Sequence, residues 1–98
     1  MDINLKSVHF DASQRLQDHI QKKLDRMSRR YDPAARAEVT LKVVKPETAM
    51  NKEASIRMIV AGTGELFASK TADTFEEAFD TAAEAIDRQL EKTKHAKV

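Results

Sequence analysis

The sequence contains no cysteine, no tryptophan and only one tyrosine among its 98 residues. The absence of cysteine excludes disulfide bridges, thiolate metal ligands and thiol catalysis, and it is compatible with a reducing compartment. No apolar run approaches the roughly 20 residues of a membrane-spanning helix, and residues 1–6 lack the basic-then-apolar order of a secretory signal. We therefore expect a cytoplasmic protein that does not enter a membrane.

The chain has the length of one small domain, which suffices to bury a single core without a metal ion or a disulfide. Hydrophobic residues make up 41% of it and charged residues 34%, a balance typical of a globular protein with a solvated surface. We expect residues 1–98 to form a single domain, and this size excludes a two-domain enzyme.

Charge is balanced in total but unevenly distributed. Seventeen basic and sixteen acidic residues give a net charge of +1. Residues 15–36 hold seven basic and three acidic residues, whereas residues 71–84 hold five acidic residues and no basic one. The near-neutral total therefore conceals two regions of opposite charge.

Hydrophobic periodicity predicts two helices. Apolar residues recur every three or four positions over residues 12–30, after Asp11 as a candidate N-cap. The same spacing recurs over residues 75–94, where Thr74 and Glu77 form a capping box. Each helix therefore has one apolar stripe to bury.

Alternating apolar and polar residues predict four strands. They cover residues 1–10, 37–45, 54–60 and 65–71. A loop is expected over 46–52, and the turn at Gly62 to Gly64 uses the positive φ that glycine tolerates. The order β-α-β-β-β-α indicates an α+β fold, with a four-stranded mixed sheet and both helices packed on one face.

The first helix carries a cluster of like charges beside its apolar stripe. A helical wheel places Arg15, Lys22, Arg26, Arg29 and Arg30 on one sector. Because such charges repel one another, a polyanionic partner would explain the cluster. A merely solvated basic face explains it equally well. Arg88 and Lys92, with Lys94 nearer the edge, form a smaller patch on the second helix, and the two patches form one strip if the helix ends align.

The sequence lacks motifs for catalysis or metal binding. Its three histidines have no metal-ligand spacing, and it has neither a phosphate-binding glycine loop nor a nucleophile elbow. The pattern assigns the four phenylalanines to the interior or to a strand face, and all five aromatic residues are interpreted first as packing residues, which argues against a base-stacking platform. We expect no enzyme, no cofactor, no metal ion and no small-molecule substrate.

Three motifs resemble those of a known family. They are the K-L-D-R run at Lys23–Arg26 with Arg29 three residues later, the G-x-L-x-A-S strand at 64–69 and the R-Q-L-x-K helix at 88–92. With the opening thirty residues, they resemble the short bacterial ribosome hibernation promoting factors and the related ribosome-associated inhibitors (ribosomal subunit interface proteins). The resemblance covers nearly the whole chain.

This resemblance implies a non-enzymatic protein that binds the small ribosomal subunit and its ribosomal RNA in the channel between head and body. There it would cover the places of messenger and transfer RNA and hold idle ribosomes inactive. The residues nominated by the resemblance are Lys23, Arg26, Arg29, Arg88 and Lys92. The local charge pattern adds Lys22, Arg30 and Lys94 to these candidate phosphate contacts.

The second helix departs from the family pattern. Ala85 stands where relatives often carry lysine, and Asp87 and Glu91 add negative charge. Weaker binding through this helix is therefore expected. The sequence reaches Val98 without the inhibitors' tail or the second domain of long forms, so we expect a short promoting factor, and whether it favours paired or single inactive ribosomes stays open.

Two other functions remain open from the sequence. A generic double-stranded RNA-binding module has an α-β-β-β-α core that this order contains, and it would bind isolated duplexes by shape. A protein interaction domain would use the exposed sheet face, where Thr40, Lys42 and Arg57 leave little apolar area.

Overall fold

The computed structural model describes residues 2–8, 10–31, 35–44, 49–60 and 64–96, with the side chains of 31 and 93–96 outside that description. The elements are β1 (Asp2–Val8), α1 (Gln14–Tyr31), β2 (Arg36–Val43), β3 (Lys52–Val60), β4 (Gly64–Ala72) and α2 (Phe75–Ala96). The predicted order and the number of elements are thus confirmed. His9, the proline breaks at 33 and 46, and most of the predicted turn at 62–64 lie outside the described residues.

The four strands form one mixed sheet in the order β1-β2-β3-β4. β1 runs parallel to β2, with Leu5 opposite Val39, and α1 makes the connection between them. β2 pairs antiparallel with β3, and β3 pairs antiparallel with β4. The predicted α+β class is confirmed.

Both helices cover the same face of this sheet. Every second strand residue points toward them, and α2 lies over β3 and β4. The largest fully buried side chains are Phe79, Ile20, Leu24, Leu41, Ile56, Met58, Ile86 and Val39. They come from both helices and the two central strands, so one core fixes the positions of the helices.

Each helix begins with a hydroxyl cap. The Leu16 amide donates to Ser13 Oγ at 3.1 Å, so the predicted Asp11 cap is wrong. Ser13 directly precedes the first helical residue, where its oxygen can reach the free amides of the first turn. The Glu77 amide donates to Thr74 Oγ1 at 3.1 Å, which confirms the predicted cap of α2.

The sheet face away from the helices is less polar than expected. Phe67 is 57% exposed there and Ile59 is 45% exposed. Of the two positions that the pattern allowed for Phe67, the interior or a strand face, the structure shows the exposed strand face, while its neighbours Leu66 and Ala68 point toward the helices. Successive side chains of a strand point to opposite faces of the sheet, so Phe67 cannot share the buried face with Leu66 and Ala68.

Two residues have a positive φ. Gly64 has φ 97°, as predicted for a glycine of the turn, and the structure makes it the first residue of β4, one residue earlier than expected. Met50 has φ 53°, and its amide donates to Asp73 Oδ1 at 2.7 Å. This hydrogen bond ties the segment before β3 to the segment before α2.

Candidate nucleic-acid interface

The two helices lie side by side and run in the same direction. Lys23 Nζ lies 3.2 Å from Asp80 Oδ1, and Arg30 Nη1 lies 3.8 Å from Asp87 Oδ2. From the first contact to the second, both helices advance by about two turns, so they run parallel. The outward surfaces of α1 and α2 therefore adjoin, an alignment that the sequence left undetermined.

Three predicted cations form an exposed row along α1, which we call the α1 row: Lys22, Arg26 and Arg29. None of them forms an ion pair or hydrogen bond with another residue in the described part of the chain. Their spacing of four and three residues places them on one side of the helix. The row thus presents positive charge to solvent without a direct ion-pair partner in the described part of the chain.

Two other predicted cations turn toward α2. The Lys23 side chain is only 35% exposed and donates a hydrogen bond to Asp80. Arg30 is 55% exposed and lies within 4 Å of both Asp87 and Glu91. Solvent-exposed pairs of this kind contribute about 1 kcal/mol or less. Lys23 and Arg30 can therefore exchange these carboxylates for a phosphate at a small cost in free energy.

His19 joins the contact between the helices. Its Nε2 lies 2.7 Å from Asp80 Oδ1, and its ring meets the edge of Phe79 at a centroid distance of 6.0 Å. Asp80 thus contacts both His19 and Lys23, which lie one turn apart on α1. Sequence reasoning missed the role of Asp80, because its partners lie 57 and 61 residues away.

The acidic residues of α2 form a row of their own. We call it the acid row, and it comprises Asp80, Glu84, Asp87 and Glu91. Steps of four, three and four residues place these carboxylates on one side of the helix. Their contacts with α1 show that this side faces the groove between the helices, which Glu84 and Asp87 line together with Arg26 and Arg30. Asp87 Oδ1 is buried there and has no hydrogen-bond partner among the described residues.

Arg88 and Lys92 lie on the other side of the acid row. Each follows an acidic residue by one position, which rotates it about 100° around α2. The neighbouring Gln89 donates to the Phe67 carbonyl at 3.1 Å, so Gln89 faces β4, while Arg88 and Lys92 lie opposite the buried stripe of α2 and point away from the sheet. Both cations are exposed and have no ion-pair partner among the described side chains.

The predicted basic residues therefore do not merge into one strip. The acid row lies between the α1 row and the pair Arg88 and Lys92, although the two helices are aligned side by side. Lys94 belongs to α2, but its side chain is outside the description. Ala85, at the position that is often basic in relatives, is partly buried against the core.

Other kinds of site find little support in the described residues. That part of the chain holds no group of three or more histidine, aspartate or glutamate side chains placed to bind a metal ion. It also holds no helix that is long and apolar enough to cross a membrane. The exposed cations remain its most distinctive feature.

Comparison with known proteins places this surface in context. The chain is 29% identical over 94 residues to a ribosome hibernation promoting factor of Pseudomonas putida, covering 96% of this chain and 87% of the relative. It is 26% identical over 98 residues to a protein of the same name from Azotobacter vinelandii, covering all of this chain and 87% of the relative.

Solved structures share the fold. The N-terminal domain of Thermus thermophilus Protein Y superposes with a TM-score of 0.81 at 22% identity, covering 95% of this chain and 99% of that one. A ribosomal subunit interface protein from Coxiella burnetii gives a TM-score of 0.78 at 20% identity, covering 97% of this chain and 99% of that one.

A family model confirms the resemblance found in the sequence. The model is described as Sigma 54 modulation protein / S30EA ribosomal protein, and it matches residues 3–97. Because this match spans nearly the whole chain, the protein belongs to the Sigma 54 modulation protein / S30EA ribosomal protein family.

Proposed function

We propose that this protein is a ribosome hibernation factor that binds the small ribosomal subunit and inhibits translation by idle ribosomes. The observation that carries the proposal is the α1 row, whose three cations are exposed and lack partners among the described residues. Family membership and the two curated relatives named ribosome hibernation promoting factor support it.

The α1 row binds phosphates of ribosomal RNA. Lysine and arginine displace counterions from the RNA backbone, which gives affinity without reading bases. Arginine forms two parallel hydrogen bonds to a phosphate, so Arg26 and Arg29 contribute orientation as well as charge. Arg88 and Lys92 make further phosphate contacts from α2, with Lys94 beyond them.

Lys23 and Arg30 contribute to RNA binding by exchanging their carboxylate partners for phosphate. In the free protein they contact Asp80, Asp87 and Glu91 across the groove. A phosphate that approaches the groove replaces these weak surface pairs with stronger charge-assisted hydrogen bonds. All eight basic residues named as candidate phosphate contacts therefore belong to the proposed contact surface, but Lys23 and Arg30 contribute less to the affinity than the others.

The protein inhibits translation by occupying a site on the small subunit, not by catalysing a reaction. The protein sits in the channel between head and body of the subunit, where it covers the places of messenger RNA and of transfer RNA in the A and P sites. Residues 1–98 act as one ribosome-binding domain in the cytoplasm, without enzymatic activity, cofactor or small-molecule substrate.

Sedimentation with separated subunits tests this proposal. In sucrose gradients at low salt, the protein should migrate with the small subunit and with whole ribosomes. Filter binding of labelled messenger and transfer RNA to the same subunits should then fall as protein is added. Absence from every ribosomal fraction would contradict the function, and co-migration without displacement of either RNA would contradict the channel position.

A second candidate function has one observation in its favour. Ile59 and Phe67 are exposed on the sheet face, on neighbouring strands. Phe67 lies opposite Arg57, whose guanidinium contacts Glu65 and Glu38. A protein-docking surface would use this apolar pair. It predicts partner binding that is lost with Phe67→Ser and unaffected by changes in the α1 row.

A further inference from the structure

His19 is a titratable side chain inside the contact between the two helices, and the proposed function does not yet use it. Its Nε2 lies 2.7 Å from Asp80 Oδ1, and Lys23 Nζ lies 3.2 Å from the same oxygen. Two nitrogen atoms therefore share one carboxylate oxygen. Because Lys23 is one of the proposed phosphate contacts, a change in the charge of His19 changes how firmly Lys23 is held.

His19 also extends the α1 row toward the start of the helix. It precedes Lys22 by three residues, and residues with this spacing lie about 5–6 Å apart on the same side of a helix. Its side chain is 37% exposed, so solvent can deliver a proton to the ring. The Debye length at 0.1 M salt is about 10 Å, so the row senses a charge at this position.

The charged side chains around His19 balance one another. They share its surface cleft or its contacts, and they comprise three cations and three carboxylates among the described residues. They are Arg15, Asp18, Lys22 and Lys23 of α1, and Glu76 and Asp80 of α2. With a neutral imidazole this cluster has no net charge, whereas a protonated imidazole makes it positive.

The two nitrogen atoms on Asp80 differ in their freedom to move. The His19 ring meets the edge of the Phe79 ring at a centroid distance of 6.0 Å, and Phe79 is fully buried. Lys23 instead has a flexible four-carbon stem that can turn its ammonium toward solvent. A protonated His19 forms an ion pair with Asp80 and neutralises this carboxylate. Lys23 is then the cation that is free to reach a phosphate.

We propose that His19 is a proton-dependent part of the RNA contact surface, whose protonated form pairs with Asp80 and releases Lys23 to bind a phosphate of ribosomal RNA. Histidine ordinarily gains its proton between about pH 8 and pH 5, a range in which the RNA backbone keeps its negative charge. Affinity for the small subunit therefore increases as the pH falls through this range. This inference rests on the proposed function for the identity of the partner.

The test uses a protein in which His19 is the only histidine. The variant His9→Gln/His95→Gln removes the other two, and the addition of His19→Gln gives the matched control. A glutamine amide can still donate a hydrogen bond to Asp80, but it cannot take up a proton. The affinity of both proteins for purified small subunits is measured by filter binding at about pH 8 and about pH 5.5, in about 0.1 M salt.

The ratio of the affinity at low pH to that at high pH is the quantity compared. It should be about threefold to tenfold larger for the protein that keeps His19, as expected for one additional phosphate contact. Any effect of pH on the subunit itself is common to both proteins and cancels in this comparison. Equal ratios with and without His19 would overturn the inference.

Lys23→Gln in the same two-glutamine background tests the release of Lys23. This variant should bind more weakly at both pH values, and its affinity should rise by less than about twofold on acidification, because no ammonium remains to be released. A rise as large as that of the protein with Lys23 would overturn the inference. If glutamine at position 9, 19 or 95 prevents folding, as judged by circular dichroism, the comparison of Lys23→Gln with the unmodified protein decides it, since Lys23 lies in a surface pair.

The same measurements separate this inference from the proposed function. Failure of the unmodified protein to bind small subunits at either pH would contradict the proposed function. The two ratios measured with an RNA duplex of about 20 base pairs at low salt would then still decide whether His19 controls the attraction to phosphate. Equal ratios for the duplex would overturn the inference in that case as well.

Discussion

The helices α1 and α2 share the same sheet face and the same direction, yet they carry opposite charge patterns. α1 has no acidic residue in its first turn and ends with Arg29 and Arg30. α2 begins with Glu76 and Glu77 and continues into the acid row. Since the backbone geometry is the same, side-chain charge alone separates their roles. In the proposed function, α1 supplies most of the phosphate contacts, whereas the carboxylates of α2 hold Lys23 and Arg30 in surface ion pairs.

Loss of two α1 cations should have the largest effect. Arg26→Gln/Arg29→Gln removes two phosphate contacts, so affinity for the small subunit should fall about tenfold to a hundredfold near 0.1 M salt. The slope of log affinity against log salt should also decrease by about 1.4 to 1.8. Filter binding over a salt series measures both quantities. An unchanged slope would show that these arginines do not neutralise phosphates.

Loss of two α2 cations should have a smaller effect. Arg88→Gln/Lys92→Gln also removes two positive charges, but both of these cations directly follow a carboxylate of the acid row, whereas Arg29 of the α1 pair has no acidic neighbour in the sequence. We expect about a threefold to tenfold loss of affinity in the same assay. A loss equal to or larger than that of the α1 pair would contradict the difference between the helices.

The helix caps should affect folding but not binding. Ser13→Ala and Thr74→Ala each remove the side-chain acceptor of one first-turn amide. Each should lower the free energy of unfolding by about 1 kcal/mol, measured by urea denaturation. Subunit affinity at a temperature where the variants stay folded should remain the same. A selective loss of affinity for Ser13→Ala would mean that the start of α1 contacts RNA directly.

A change on the sheet face should have the smallest effect on ribosome binding. Phe67→Ser replaces a side chain that is 57% exposed and lies on the face opposite the helices. Subunit affinity should stay within about twofold of the unmodified protein, because the sheet separates this residue from the α1 row. A large loss would mean that the subunit contacts both faces.

Local patterns in the sequence predicted the elements and their order correctly. The apolar stripe of α1 and the alternation of β2 and β3 depend on neighbours within a few residues, so periodicity identifies them. The Thr74 cap was predictable for the same reason. Ser13 was missed because Asp11 is also a good capping residue, and only the observed start of the helix at Gln14 distinguishes the two.

The arrangement of the candidate site depends on contacts that are distant in sequence. The basic residues of α1 could be listed from the sequence, but the turn of Lys23 toward Asp80 could not. That contact requires the relative position of two helices, which the shared core determines. The sequence left open whether Phe67 lies in the interior or on a strand face, because an apolar residue of an edge strand can also face solvent.

Neutralising the α1 row tests the central claim most directly. Lys22→Gln/Arg26→Gln/Arg29→Gln is compared with Lys6→Gln/Arg36→Gln/Lys42→Gln, which removes three exposed cations from the sheet side. Both variants are sedimented with small subunits through sucrose gradients at low salt. The account predicts that only the first variant leaves the subunit fraction. Co-sedimentation of both variants, or loss of both, would contradict it.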